Sequence, residues 1–242
     1  MKKIGKSGEL LWLFGMIFVA LGVSICSKAD LGVSMIAAPP FVIQEALSPY
    51  IGFLSVGMAE YMIQGILLIL LCVIVRRFDW RYLLAFLVAV LYGYILDLFL
   101  FLLGGVTVTS IPLRYLMLLI GDLITAFGVA CFFGTYMPLQ VYELFVAEVS
   151  AVFRIDINRI KWAFDLSLLA LSILLALLLF DVHDFDWSQI GYKSYHSIGL
   201  GTLITTLINS PLIAMMSRLV RRFFDPTPRF PRFEAALSTK RN

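Results

Sequence analysis

Charge is scarce in this chain. Asp, Glu, Lys and Arg together make up 14% of its 242 residues, against roughly 25% in an ordinary soluble domain. With 61% hydrophobic residues and a mean hydropathy of +0.94, it carries more apolar surface than one soluble core of this length could bury. That excludes a soluble globular protein, and the chain reads as an integral membrane protein. Strict alternation of polar and apolar residues is also missing, which excludes a transmembrane β-barrel.

Cysteine is equally sparse. Cys26, Cys72 and Cys131 lie inside apolar runs with no C-x-x-C spacing, so neither a disulfide framework nor a zinc site is indicated, and all three read as small buried hydrophobes. Only two histidines occur. His183 and His196, with Asp184 and Asp186, could be written down as metal ligands, but their spacing is not diagnostic. A solvated loop with Trp187 and Tyr192 at the membrane interface accounts for the same stretch. No G-x-S-x-G, H-E-x-x-H or Walker loop is present, so no enzyme of those classes is supported and no cofactor is expected.

What is present is a series of apolar runs of the roughly 20 residues that a bilayer core requires. Six can be drawn: Leu10 to Cys26, Phe53 to Val75, Tyr82 to Leu103, Leu116 to Phe133, Trp162 to Phe180 and Ile198 to Met216. The start, with Lys2, Lys3 and Lys6 before the first run, resembles a signal peptide but is expected to stay as an uncleaved anchor, because Lys28 and Asp30 lead into more membrane sequence. With the N-terminus in the cytoplasm, 16 of the 19 basic residues fall inside and only Lys28, Arg114 and Lys193 outside. The positive-inside rule therefore supports six spans with both termini cytoplasmic. The tail, residues 218–242, is rich in Arg and reads as resting on anionic headgroups. Beyond that charge, nothing suggests nucleic acid.

Two further apolar segments, Leu31 to Ile51 and Met137 to Asp156, follow the first and fourth spans. Making the first a full span would move Arg76, Arg77 and Arg81 outside, so both are expected to be re-entrant or interfacial helices, the first broken at Pro39 and Pro40. The stretch Ala20–Met35 aligns without gaps on Ala126–Val141, with identities at Ala20/Ala126, Gly22/Gly128 and Val23/Val129. Each half then has three spans and one extra helix after the first span. Three is odd, so the second half must be inverted. The expected fold is all-α, with repeats at 1–109 and 110–217, a plan that recurs in secondary transporters.

Ionisable groups inside spans are costly and mark candidate sites. Asp97 lies deep in the third span, and Asp122 belongs to the same outer half of the bilayer in the fourth. If they approached, one could hold a proton; a hydrogen bond from Tyr92, Tyr94 or another hydroxyl is the structural alternative for Asp97. Glu60 and Gln64 share one face of the second span, as do Lys161 and Asp165 on the fifth. Lys161 reads first as a snorkelling partner of Asp165. Gln140 and Glu143 share a face of the inner extra helix, and Asn209 stands late in the second half as Asp97 does in the first. Glu148 is expected to face water. The Gly residues of the spans let backbones approach.

The segments KADLGVS at Lys28–Ser34 and GYILDLF at Gly93–Phe99, with a Gly-rich final span, resemble the YczE/YyaS/YitT-like family of bacterial membrane proteins. Met35, Ile36 and Ala37 depart from the family pattern after the first LGV. The resemblance implies a bacterial cell-membrane protein of about six spans and names no substrate. The expected function is a small secondary transporter, proton-coupled, in which Asp97, Asp122, Asp165, Gln64 and Asn209 line or couple a central cavity and Glu60, Gln140 and Glu143 stand at its entrances. The excess of carboxylates over buried bases favours a cationic or protonatable solute. A passive channel and a non-transporting membrane partner are the alternatives. Membrane lipids and a small-molecule or ion substrate are the expected partners, and so small a fold could also form a homodimer.

Overall fold

The computed structural model describes residues 4–6, 8–133, 135, 137–181, 189 and 191–225. Six of its helices are long and apolar enough to cross a membrane: α1 (Gly8–Ala29), α3 (Val56–Val75), α4 (Arg81–Leu102), α5 (Ile111–Phe133), α7 (Ile157–Leu179) and α8 (Leu200–Phe223). Between them lie two shorter ones, α2 (Ala38–Leu47, 10 residues) and α6 (Val141–Phe153, 13 residues). At 1.5 Å per residue these reach only about 15 and 20 Å, short of the ~30 Å hydrocarbon core. A short parallel pairing of β1 (Ile4–Lys6) with β2 (Phe224–Asp225) brings the two ends of the helical body together.

Helix ends differ from those drawn on hydropathy. α1 continues past Cys26 through Lys28, and α8 runs on to Phe223, because long basic side chains can follow the helix out of the apolar layer while their charge stays wet. Pro39 and Pro40 do not break a helix; they stand in the first turn of α2. There the missing amide hydrogen costs nothing, since the first N–H groups of a helix have no intrahelical acceptor.

The centre of the fold is the antiparallel pair α1 and α5. A Cβ on Gly22 would lie 2.5 Å from the Gly121 carbonyl oxygen, and one on Gly15 would lie 2.9 Å from that of Gly128. Only glycine permits this separation, and the spacing of seven residues in each helix repeats it two turns along. Around the pair, α4 packs on α1 and α3, and α8 packs on α5. Helix α2 lies against α3 and α7, while α6 lies against α7, α3 and α4. Outward faces stay apolar: Met62, Ile66, Ile69 and Val73 form an exposed stripe on α3, as a lipid-facing surface requires.

The connection from α1 to α2 is held by the loop before α8. Val33 N–H donates to the Ser197 carbonyl at 3.0 Å and Gly201 N–H to that of Leu31 at 2.7 Å. Gly32 adopts φ +105°, where a side chain would be strained and would meet Thr202 and Gly199. Asp30 completes the joint: Arg114 Nη1 donates to its Oδ2 at 3.2 Å and Ser194 Oγ to its Oδ1 at 2.7 Å.

Candidate solute-binding site

Gln64 is the hub of the buried polar groups. It and Glu60 lie one helical turn apart on α3, and Gln64 is 0% exposed. Its Nε2 donates to Glu60 Oε1 at 3.1 Å, while its Oε1 accepts the Val141 N–H, also at 3.1 Å. That amide opens α6, where the first N–H groups lack helical acceptors. One side chain of the first half thus supplies the cap of a short helix in the second.

Gln140, the N-cap residue of α6, leaves its own side chain uncommitted. It is 7% exposed, and its Nε2 has no protein partner. Glu143 Oε2 on the same helix is likewise buried and unpartnered. Glu60, Tyr92 and Glu143 lie within electrostatic reach of Tyr142. Burial raises the Glu143 carboxyl above its ordinary value, opposed by its backbone hydrogen bond and by the Lys161 ammonium.

Lys161 and Asp165 carry the cluster onto α7. Lys161 Nζ stands 3.3 Å from Asp165 Oδ2, leaving Oδ1 buried without a partner. Across from them on α8, Asn209 Oδ1 is also unpartnered. A cavity of about 140 Å³ lies between the two helices, lined by Met35, Asn158, Lys161, Trp162, Asp165, Thr206 and Ser210. A narrower extension adds Ser34, Ile36, Asn209 and Ile213. A buried polar atom left without a partner costs about 1–3 kcal/mol. Four of them, on Gln140, Glu143, Asp165 and Asn209, mark a region built to meet something other than the protein's own groups.

On the far side of the segment 32–36 lies a larger, more open pocket of about 450 Å³, whose wall includes Asp30, Gly32, Val33, Glu45, Lys193 and His196. His196 pairs with Glu45 at 2.9 Å and stacks on Phe180 with ring centroids 3.4 Å apart. Gly32 and Val33 face this pocket and Ser34 to Ile36 face the inner cavity. The non-helical link between α1 and α2 is therefore the partition between the two spaces.

Six of the eight residues singled out from sequence are brought together: Glu60, Gln64, Gln140 and Glu143 around the start of α6, and Asp165 and Asn209 at the cavity. Glu143 joins the groups through its reach to Lys161 and Asp165. The other two stand apart. Asp97 accepts from Ser55 Oγ at 2.6 Å and from Gly57 N–H at 2.8 Å, so it clasps the N-terminus of α3. Asp122, 4% exposed, lies near Cys26 of α1. No hydrogen bond joins the two carboxylates, because their helices present them to different neighbours. Tyr142, Thr206, Ser210 and Ser34 escaped notice; Thr206 and Ser210 could have been found, being one turn apart in an apolar helix and flanking Asn209. His183, Asp184, Asp186, Trp187 and the tail from 226 lie outside the described residues.

Residues 6–218 match the model of a family of unknown function, DUF6198, and the chain belongs to that family. No curated protein and no solved structure matches it.

Proposed function

We propose that this member of DUF6198 is a small, proton-coupled secondary transporter of the bacterial cell membrane. The observation that carries the proposal is the pair of unpartnered buried oxygens of Asp165 and Asn209, from α7 and α8, at one cavity, with the unpartnered Glu143 of α6 in electrostatic reach of Asp165. Solute sites of secondary transporters lie in such places, where the halves of the fold meet.

Two further features support it. The displacement of 106 residues that aligns Ala20 with Ala126 also carries Gly15 onto Gly121 and Gly22 onto Gly128. It turns the Gly15–Gly128 contact into the Gly22–Gly121 contact, as a two-fold relation between inverted halves would. The short helices follow the same rule, α2 lying against α3 and α7 and α6 against α7 and α3. Alternating access then consists of one half rocking against the other. Glu60, Glu143 and Asp165 supply the coupling: Glu143 is in electrostatic reach of both others. Carboxylates so placed in a low-dielectric interior cannot all ionise cheaply, so the set can take up and release a proton as the solute comes and goes.

Positive-inside counting places both termini in the cytoplasm. The cavity, bordered by Asn158 and Trp162 at the start of α7, then faces inward, with the Val33–Ser197 joint closed on the outer side. The resemblance of Lys28–Ser34 and Gly93–Phe99 to YczE/YyaS/YitT-like proteins fits this bacterial membrane setting. The test is charge movement in proteoliposomes on a solid-supported membrane, with and without a pH gradient, challenged with amines, amino acids, organic acids and inorganic ions. A solute-dependent current that responds to pH and is lost in Asp165→Asn is expected. Silence across the panel from folded, inserted protein would refute the proposal.

A further inference from the structure

We infer that the cavity between α7 and α8 is a site for a small organic cation, a protonated amine or guanidinium, and that the Lys161 ammonium occupies it until the solute displaces it. The inference rests on the transporter reading and deepens it by naming the solute class.

Among the described residues, the buried atoms left without a partner at the cavity are acceptors. Asp165 Oδ1 and Asn209 Oδ1 are buried and unpartnered. Thr206 spends its hydroxyl proton on the Thr202 carbonyl at 2.6 Å, leaving only lone pairs to offer. Glu143 Oε2, also unpartnered, lies within electrostatic reach of the same pair of residues on α7. Among the described residues the one cation on the wall is Lys161, 3.3 Å from Asp165 Oδ2. A ligand that satisfies such a wall brings N–H donors and a positive charge.

Lys161 is suited to leave. Its side chain is 34% exposed where that of Asp165 is 13%, and a lysine stem can swing its charge to the membrane surface at little cost. The carboxylate is then neutralised by lysine in the empty protein and by the solute in the loaded one, so Asp165 is never left bare in the interior. Size admits such a solute. A cavity of about 140 Å³, well above the ~10–15 Å³ that one water needs, has room for methylammonium or guanidinium.

The test is calorimetric titration of the purified full chain with methylammonium and guanidinium chloride, with sodium formate and spermidine as comparators. Lys161→Gln should tighten binding of the small cations by about tenfold, the equivalent of ~1.4 kcal/mol, because the internal competitor is gone. Lys161→Ala should do the same, since the effect comes from losing the ammonium; size-exclusion profiles establish that both variants are folded. Asp165→Asn should abolish binding. The inference is overturned if neither lysine variant binds small cations more tightly than the parent, or if formate or spermidine binds in their place. The two levels fail differently. Small cations that bind in this pattern but give no flux in proteoliposomes would sink the transporter reading and leave the site. Flux of an anionic or neutral solute without cation binding would sink the site and leave the transporter.

Discussion

Asp97 reads from its position as a transport carboxylate, and in the structure it makes contacts at the start of α3 whose worth can be measured. Its Oδ2 accepts from Ser55 Oγ at 2.6 Å and its Oδ1 from the Gly57 amide at 2.8 Å, while Ser55 Oγ itself accepts the Met58 amide at 3.1 Å. Helix α3 thus begins against a carboxylate borrowed from α4, at the end where its unpaired amides and dipole favour negative charge. Hydrogen bonds to a charged group contribute about 1.5–3 kcal/mol each. Asp97 is only half-buried, so Asp97→Ala should lose about 3 kcal/mol in total, toward the lower end for two such bonds. Asp97→Asn should lose about 1 kcal/mol, because an amide oxygen still accepts from Gly57. Ser55→Ala combined with Asp97→Ala should cost about 1 kcal/mol less than the two changes added, since both remove the same bond. Unfolding in mixed micelles of dodecyl sulfate and a mild detergent gives these differences. Solute flux per folded molecule should survive in Asp97→Asn and vanish in Asp165→Asn. An Asp97→Ala protein as stable as the parent but devoid of flux would refute the reasoning and return Asp97 to the solute path.

Two other changes test the frame of the site. Gln64→Leu leaves Glu60 Oε1 and the Val141 amide without this partner; at about 1–3 kcal/mol for each orphan, a loss of roughly 2–6 kcal/mol in micelle unfolding is expected, together with slower flux. Gly22→Leu should prise α1 from α5 and cost upwards of about 3 kcal/mol, whereas Gly52→Ala, with nothing within 4 Å of the added carbon, should leave the unfolding midpoint unmoved.

The number of spans was legible because the length of an apolar run is set by the bilayer and not by tertiary context. So was the pairing of Glu60 with Gln64 and of Lys161 with Asp165, since four-residue spacing places side chains on one helix face whatever surrounds them. What could not be read was which neighbour each face would meet. The capping of α6 by Gln64 joins residues 77 apart in sequence, and Asp97 meets α3 across 40 residues. Proline misled for a related reason: its effect depends on whether it falls in the first turn of a helix or its interior, and Pro39 and Pro40 fall in the first turn of α2.

Asp97 and Asn209 each stand in the last span of their half, and their surroundings differ. In the first half α3 and α4 are drawn together, with the carbon of a side chain on Gly57 barred by the Gly93 carbonyl and the Asp97 carboxylate. In the second, α7 and α8 barely touch, and the cavity fills the gap beneath Asn209. On the view that the halves are inverted copies, the state facing the opposite side of the membrane exchanges these two arrangements: α7 closes on α8, and α3 parts from α4. The clasp at Asp97 is then the contact that must open, and the energy it contributes belongs to one state of the cycle. Removing it would shift the balance between states as well as lower stability, because a contact present in only one of two conformations biases their populations by its own free energy. The polar site needs no such exchange of parts. Gln64 reaches from α3 to the start of α6, and α6 lies against α7, so the short helix stands between α3 on one side and α7 on the other.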